Sequence, residues 1–204
     1  LADDVRAPVQ ASLIAALDQL YAVENLPISD RISTINAEIE IARAAAGEGA
    51  ALPAALLTKV RMRAVWADEA AATPFERQSA IYVAAGLLDD AGDAAGAERL
   101  LVAELERSAT PFYYMPILAD IAEERGDNAR ALDWLRQGYE TSVGPASRVQ
   151  WGANYAIGVT RLAPADKAQV EHAADAIIGE LATSPDSYHQ RTRVRFARLE
   201  TALR

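Results

Sequence analysis

A residue pair that ends one helix and starts the next recurs in this sequence at a fixed distance. Gly92-Asp93 and Gly126-Asp127 are 34 residues apart, and so are Pro111 and Pro145. Glycine just after a helix adopts the left-handed backbone that stops it, aspartate caps the following helix, and proline is tolerated at the first helical position. The spacing therefore predicts helical hairpins that repeat along the chain.

A helix–turn–helix unit of this length has the period of tetratricopeptide repeats. Ala97 and Leu101 also stand 34 residues before Ala131 and Leu135, at positions where small and large residues pack in such units. We therefore predict an all-α fold, a right-handed, tetratricopeptide-like α-solenoid of about ten helices in antiparallel pairs.

Proline, glycine and capping residues divide the chain into three parts. We predict an N-terminal helical hairpin over 1–46, a linker or hinge over 47–52, and the helical repeat region over 53–204. Residues 1–46 either stand apart or join the repeats in one continuous solenoid. The second helix is predicted from a Ser29 cap to Ala46, and Thr73 with Glu76 predicts a capping box for a helix with Phe75 and Tyr82 facing inward.

Composition limits the function classes that are open to the chain. The 204 residues carry a formal net charge of −9, which argues against nucleic-acid binding through a basic surface. No apolar run approaches the ~20 residues that span a bilayer, so we expect a soluble chain without membrane insertion. There is no cysteine, and hence no thiol chemistry within this sequence. The chain begins at Leu1 rather than Met, and we expect it to be a piece of a longer protein.

Two patterns suggest chemistry, and a structural interpretation is favoured for each. Asp89-Asp90-Ala91-Gly92-Asp93 spells a magnesium–diphosphate motif, but Gly92 would break the helix that such a motif needs, so we interpret it as a turn. His172 and His189 are the only histidines, too few for a zinc site without cysteine, and are interpreted as surface residues. We predict no catalytic, cofactor-binding or metal-binding residue.

Two groups of side chains are candidates for binding. Aromatic residues crowd one third of the chain and can either fill the core or form a partly exposed contact surface. We expect Phe112, Tyr114 and Trp151 to point inward and Tyr113 outward. Arginines on the last helix form a face that is either solvated, paired within the chain or a docking site for an acidic partner. The candidate binding residues are Phe112, Tyr113, Tyr114, Trp134, Trp151, Tyr155, Arg191, Arg195 and Arg198.

Longer segments of the sequence resemble a known family. They are Thr73–Ile81, Ser108–Met115, Gly126–Trp134, Glu140–Gly152 and Leu162–Pro164. Together they resemble the C-terminal helical region of bacterial exported thioredoxin-family proteins, over roughly Leu52 to Arg204. The Gly144–Gly152 block, which reads Gly-Pro-Ala-x-Arg-x-Gln-Trp-Gly, is the most specific part. Departures from the family pattern are Ala109-Thr110, Pro116 and Val149.

The resemblance implies a parent protein that handles thiols and a periplasmic or otherwise exported location. In that family the Cys-x-x-Cys motif belongs to a thioredoxin domain ahead of the helices, so no catalytic residue carries over to this chain. We expect a non-catalytic protein-interaction region that holds a partner, a client or its own redox domain. The alternatives are a helical ligand-binding or enzymatic domain near Asp89, Glu123 and Arg125, and a structural spacer or dimerisation arm. Homo-oligomerisation stays open.

Overall fold

The computed structural model is helical throughout the residues that it describes, which are 3–47, 50–183, 185–188 and 190–203. This part of the chain contains no strand, which confirms the predicted all-α class. The α-helices are α1 (Asp3–Tyr21), α2 (Ile28–Ser33), α3 (Asn36–Ala46), α4 (Ala54–Ala70), α5 (Pro74–Asp90), α6 (Ala94–Leu105), α7 (Met115–Glu124), α8 (Asn128–Thr141), α9 (Pro145–Leu162), α10 (Lys167–Thr183) and α11 (Gln190–Leu203). Short 3₁₀ turns cover Pro111–Tyr113 and Pro185–Ser187. Among the described helices, none is both long and apolar enough to cross a membrane.

The helices form two compact units, Leu1–Ala109 and Thr110–Arg204, called unit 1 and unit 2 below. The predicted linker at 47–52 falls inside unit 1, and residues 48 and 49 lie outside the described residues. The solenoid, its handedness and the tetratricopeptide-like arrangement stay predictions.

The two Gly-Asp turns have the same geometry, one in each unit. Gly92 and Gly126 have φ angles of 83° and 76°. At the first turn the Asp93 N–H donates to the Leu88 carbonyl at 2.7 Å, and at the second the Asp127 N–H donates to the Ala122 carbonyl at 2.9 Å. These are Schellman bonds, in which the residue after the glycine reaches back five positions. Each aspartate then caps the next helix by accepting from the N–H three residues on, at 3.0 Å. Helix stops and caps 34 residues apart are thus confirmed.

Helix α5 organises unit 1, where α2, α4 and α6 pack against it. Thr73 and Glu76 form the predicted capping box at its start. The prediction that Phe75 and Tyr82 face inward is wrong, because they are 83% and 49% exposed. Arg77, which pairs with Glu104 on α6, lies on the buried face of α5 with Ala80 and Ala84, and Phe75 and Tyr82 lie on the exposed side.

The predicted second helix is divided into α2 and α3. Pro27, rather than Ser29, is the N-cap residue of α2. The division falls at Thr34, whose hydroxyl donates to the Arg31 carbonyl at 2.8 Å and accepts from the Arg63 guanidinium at 2.7 Å. A side-chain hydroxyl that bonds the backbone in this way competes with the helical ladder.

Helix α1 has its apolar side chains largely on the surface. Val5, Val9, Leu13 and Leu20 are each 45–54% exposed. The helix is fastened instead at its C-terminal end, where Asp18 pairs with Arg63 at 2.6 Å and the Tyr21 ring meets the Trp66 ring edge-on at 5.4 Å.

Unit 2 is built around α9, against which α8, α10 and α11 pack. Its core includes Val149, Ala153, Ala156, Val159, Ala173, Ile177 and Leu199. Gly152 lets these helices approach closely, since a Cβ atom there would lie 2.7 Å from Ile177 Cδ1 and 3.1 Å from the Tyr139 ring. The Gly144–Gly152 block also starts α9, with Gly144 at φ 90° and Pro145 as its first residue.

Candidate functional site

The Thr110-Pro111 pair predicts the start of a helix, but the aromatic run near the start of unit 2 is not helical at this point. Pro111–Tyr113 form a 3₁₀ turn, and α7 starts only at Met115. Proline inside a helix lacks an N–H and collides with the carbonyl four residues earlier. Because Pro116 would meet the Phe112 carbonyl in a helix begun at Pro111, the helix has to start next to Pro116.

This turn holds Tyr113 on the surface while its neighbours are buried. Phe112 and Tyr114 are 4% and 0% exposed, whereas Tyr113 is 36% exposed. The Tyr113 ring lies 4.9 Å from the Phe112 ring and meets the buried Trp151 ring edge-on at 5.5 Å. This placement agrees with the prediction that Phe112, Tyr114 and Trp151 point inward and Tyr113 points outward. Tyr113 is therefore an exposed ring with a rigid aromatic support.

The remaining aromatic candidates lie in the interior of unit 2. Trp134 is 6% exposed and lies under the Arg130 guanidinium at 4.5 Å. Tyr155 is 8% exposed and stacks on the Tyr139 ring at 6.4 Å. Of the six aromatic candidates, Tyr113 alone presents a substantial surface to a partner.

A polar cluster beside these rings joins three helices and has no counterpart among the predicted site residues. The Glu180 carboxylate accepts from the Tyr139 hydroxyl at 2.9 Å and from Arg148 Nε at 2.6 Å. Arg148 also lies 4.8 Å above the Tyr139 ring. The Arg148 guanidinium, followed by the Tyr139 hydroxyl, lowers the pKa of Glu180, and burial is the main cause of a raised pKa at Tyr139. The cluster ties α8 and α9 to α10, which is a structural role for the arginine in the Gly144–Gly152 block.

The arginine candidates on α11 do not share one environment. Arg195 is partly buried and donates to the Asn154 side-chain carbonyl on α9. Arg198 is exposed. The side chain of Arg191 lies outside the part of the chain that the structure describes. Pairing within the chain thus accounts for Arg195, and a docking role for this face stays a prediction.

The acidic and histidine candidates take structural or surface positions. Helix α5 ends at Asp90, and Asp93 caps α6 and pairs with Arg61 at 2.6 Å. Hydrogen bonding from Arg61 is the largest cause of a lowered pKa at Asp93. His172 is exposed, and His189 lies outside the described residues. Within the described ranges no three His, Asp or Glu side chains are grouped to hold a metal ion.

The three residues suggested for a polar pocket, Asp89, Glu123 and Arg125, do not belong to one unit. Asp89 belongs to unit 1, whereas Glu123 and Arg125 belong to unit 2. Within unit 2 the Glu123 carboxylate forms an ion pair with Arg161 on α9. Glu123 therefore links α7 to α9.

In comparisons with known proteins, no family model, curated protein or solved structure matches the chain.

Proposed function

We propose that this chain is a non-catalytic helical-repeat region through which an exported thioredoxin-family protein holds a partner, a client or its own redox domain. The observation that carries the proposal is the Tyr113 ring, which is 36% exposed and packs on the buried rings of Phe112 and Trp151. Aromatic side chains are common binding anchors because they offer a large contact area with few rotatable bonds. Packing that fixes the ring before binding reduces the entropy lost on association.

The family, the periplasmic or exported location and the thiol-handling parent rest on the sequence resemblance. Its most specific block supplies Trp151, on which Tyr113 rests, and Arg148, which ties α9 to α10. The same block therefore supports the exposed ring and orders the helices beneath it. A partner that docks on Tyr113 would meet a surface formed largely by the part of the chain that resembles the family.

Site-specific photocrosslinking tests this proposal. A benzoylphenylalanine at position 113 of the parent protein, expressed in its natural compartment, should give one dominant adduct with a protein partner or with the redox domain of the same chain. Tyr188 provides a matched control, because it is another exposed tyrosine of unit 2, 48% accessible and edge-on to Phe196 at 5.8 Å. Adducts that are absent at 113, or equal at 113 and 188, would refute the role of Tyr113 as an anchor.

A further inference from the structure

Unit 1 contains a cleft whose lining residues all belong to that unit. Its volume is about 660 Å³, and it lies between the α1–α2 connection and the α4–α5 connection. Leu26 and Pro27 line one side, Trp66 and Phe75 the other, and Arg31 and Glu76 contribute charge. The cleft thus combines apolar walls with a small number of charged groups, as binding sites commonly do.

The Arg31 guanidinium is held in a fixed orientation at this cleft. Its Nε donates to the Tyr21 carbonyl at 2.8 Å, and its Cζ lies 4.3 Å above the Trp66 ring. Among the described residues, the bond from Nε is the one side-chain hydrogen bond of Arg31, and no carboxylate forms an ion pair with its Nη atoms. A guanidinium fixed by stacking, with two donors left over, suits bidentate binding of a carboxylate.

Phe75 places a large apolar surface at the same cleft. Its side chain is 83% exposed, although it lies in the first turn of α5, which is fixed by the capping box of Thr73 and Glu76. Glu76 accepts from the Thr73 N–H at 3.0 Å and from the Thr73 hydroxyl at 2.9 Å. These bonds lower the pKa of Glu76 and occupy its carboxylate in capping the helix. The capped backbone therefore holds Phe75 at the cleft with its ring exposed.

We propose that this cleft binds a protein segment in which a large apolar or aromatic side chain stands next to a carboxylate. The apolar side chain packs on Phe75 and Pro27, and the carboxylate accepts two hydrogen bonds from the Arg31 Nη atoms. Glu24 and Glu76 also line the cleft, and the chain as a whole carries −9, so a polyanion is disfavoured. A single carboxylate suits the site because a bidentate contact is strong at short range. This inference is independent of the proposed function, which rests on unit 2.

The test is a nuclear magnetic resonance titration of the full chain with three short peptides. The probe is acetyl-Gly-Phe-Glu-Gly-amide, and the comparisons replace its Glu by Gln or its Phe by Ala. The probe should shift the Trp66 indole N–H and the backbone amides of residues 24–31 and 73–79. Each comparison peptide should bind roughly tenfold more weakly, the value of one lost charged or apolar contact.

Variants of the chain separate the two contacts. Phe75→Ser should weaken probe binding roughly fivefold without loss of stability, because the side chain is already exposed. Tyr82→Ser is the matched control, since Tyr82 is also an exposed aromatic residue of α5 but does not line the cleft. It should bind the probe as the wild type does. Arg31→Lys keeps the charge but loses the two-pronged donor, and should abolish the preference for Glu over Gln in the peptide.

Several outcomes would overturn the inference. They are equal binding of the Glu and Gln peptides, unchanged binding by Phe75→Ser, shifts confined to other residues, and no binding by the wild type. Shifts of the Trp66 indole that grow with protein concentration alone, and vanish in Phe75→Ser, would identify a second copy of this chain as the occupant and would likewise refute it.

Discussion

Arg77 on α5 and Glu104 on α6 form a buried, two-pronged ion pair at the centre of unit 1. Arg77 Nε lies 3.0 and 3.1 Å from the two Glu104 oxygens, and Nη2 lies 2.6 Å from Oε2. Glu104 is 2% exposed. Arg77 also donates to the Asp68 side chain and to the Asp68 and Ala71 carbonyls, so that it joins α4 to α5 and α6. The bond to Glu104 is the main cause of the raised pKa of Arg77.

Replacing one partner of this pair should cost far more than replacing a surface ion pair. We expect Glu104→Ala to lower the free energy of unfolding by ~3 kcal/mol, because it removes the buried carboxylate that bonds Arg77 and leaves only the partly exposed Asp68 as its ion-pair partner. The control is Glu140→Ala, which breaks the exposed pair with Arg136 on α8 and should cost about 0.5 kcal/mol or less. Urea unfolding of the two variants checks the prediction, and equal midpoints would contradict it.

Replacing the glycine of either Schellman turn by alanine should lower the free energy of unfolding by a similar amount. Gly92 and Gly126 have φ angles of 83° and 76°, and a Cβ atom at either would meet no atom within 4 Å. The cost of alanine is therefore backbone strain alone, and we expect Gly92→Ala and Gly126→Ala each to lose ~1–2 kcal/mol of unfolding free energy. Thermal or urea unfolding measures both losses.

At two glycines inside helices, replacement by alanine should raise the free energy of unfolding rather than lower it. Gly86 in α5 and Gly179 in α10 also have open space where a Cβ atom would lie, and neither has a positive φ. Alanine should stabilise each site by roughly 0.5–1 kcal/mol. A loss of stability at Gly86 as large as that at Gly92 would show that side-chain crowding, rather than backbone conformation, governs these positions.

The positive φ angle of Gly47 also changes the expected cost of replacing this residue. The sequence places it in a loose linker, where Gly47→Val would cost less than Gly126→Val. In the structure Gly47 is the C-cap residue of α3 with φ 91° and ψ 163°. Valine is strained there as well, so the difference between the two substitutions should be small.

The sequence reveals several of the helix ends because their causes are local. The Gly-Asp turns and the Thr73–Glu76 capping box depend on residues within a few positions of one another. The buried face of α5 is different, because it includes the charged Arg77, whose partner Glu104 lies 27 residues further along the chain. Apolar periodicity alone therefore assigns Phe75 to the core. Phe75 and Phe112 both follow a Thr-Pro pair, yet only Phe112 is buried.

The candidate site shows the same division between local and distant causes. The outward direction of Tyr113 follows from an inward Phe112, and the sequence contains that relationship. The Tyr139–Arg148–Glu180 cluster joins α8, α9 and α10 and is not visible in any one segment. The sequence nevertheless contains one signal for it, because Arg148 lies in the most specific block of the resemblance.

The Arg148–Glu180 pair should make unit 2 sensitive to acid. The pKa of Glu180 is lowered in the folded chain, first by Arg148 and then by Tyr139. An unfolded glutamate titrates near ~4.3, so the unfolded state binds more protons between that pH and the lower folded pKa. The stabilisation is therefore fully present above the unfolded pKa and is lost as the pH falls through the lower folded value.

Urea unfolding between pH 6 and pH 3 measures this contribution. One limit lies about 1.5 units above the unfolded pKa and the other about 1.5 units below it. The wild type should lose more stability across the range than Glu180→Gln, which cannot titrate at that position. Arg148→Met removes the cause of the shift and should flatten the profile in the same way. A Glu180→Gln profile parallel to that of the wild type would show that other carboxylates account for the acid sensitivity.

The exposed and buried tyrosines of the aromatic turn should separate binding from stability. Tyr114 is 0% exposed, so Tyr114→Ala should lower the free energy of unfolding by ~3–5 kcal/mol, as other large truncations in a core do. Tyr113 loses mainly its edge contact with Trp151, and Tyr113→Ala should cost ~1 kcal/mol or less. The two adjacent tyrosines are matched in chemistry and differ in burial. If Tyr113→Ala unfolds as readily as Tyr114→Ala, the ring belongs to the core, and its proposed role as a binding anchor fails.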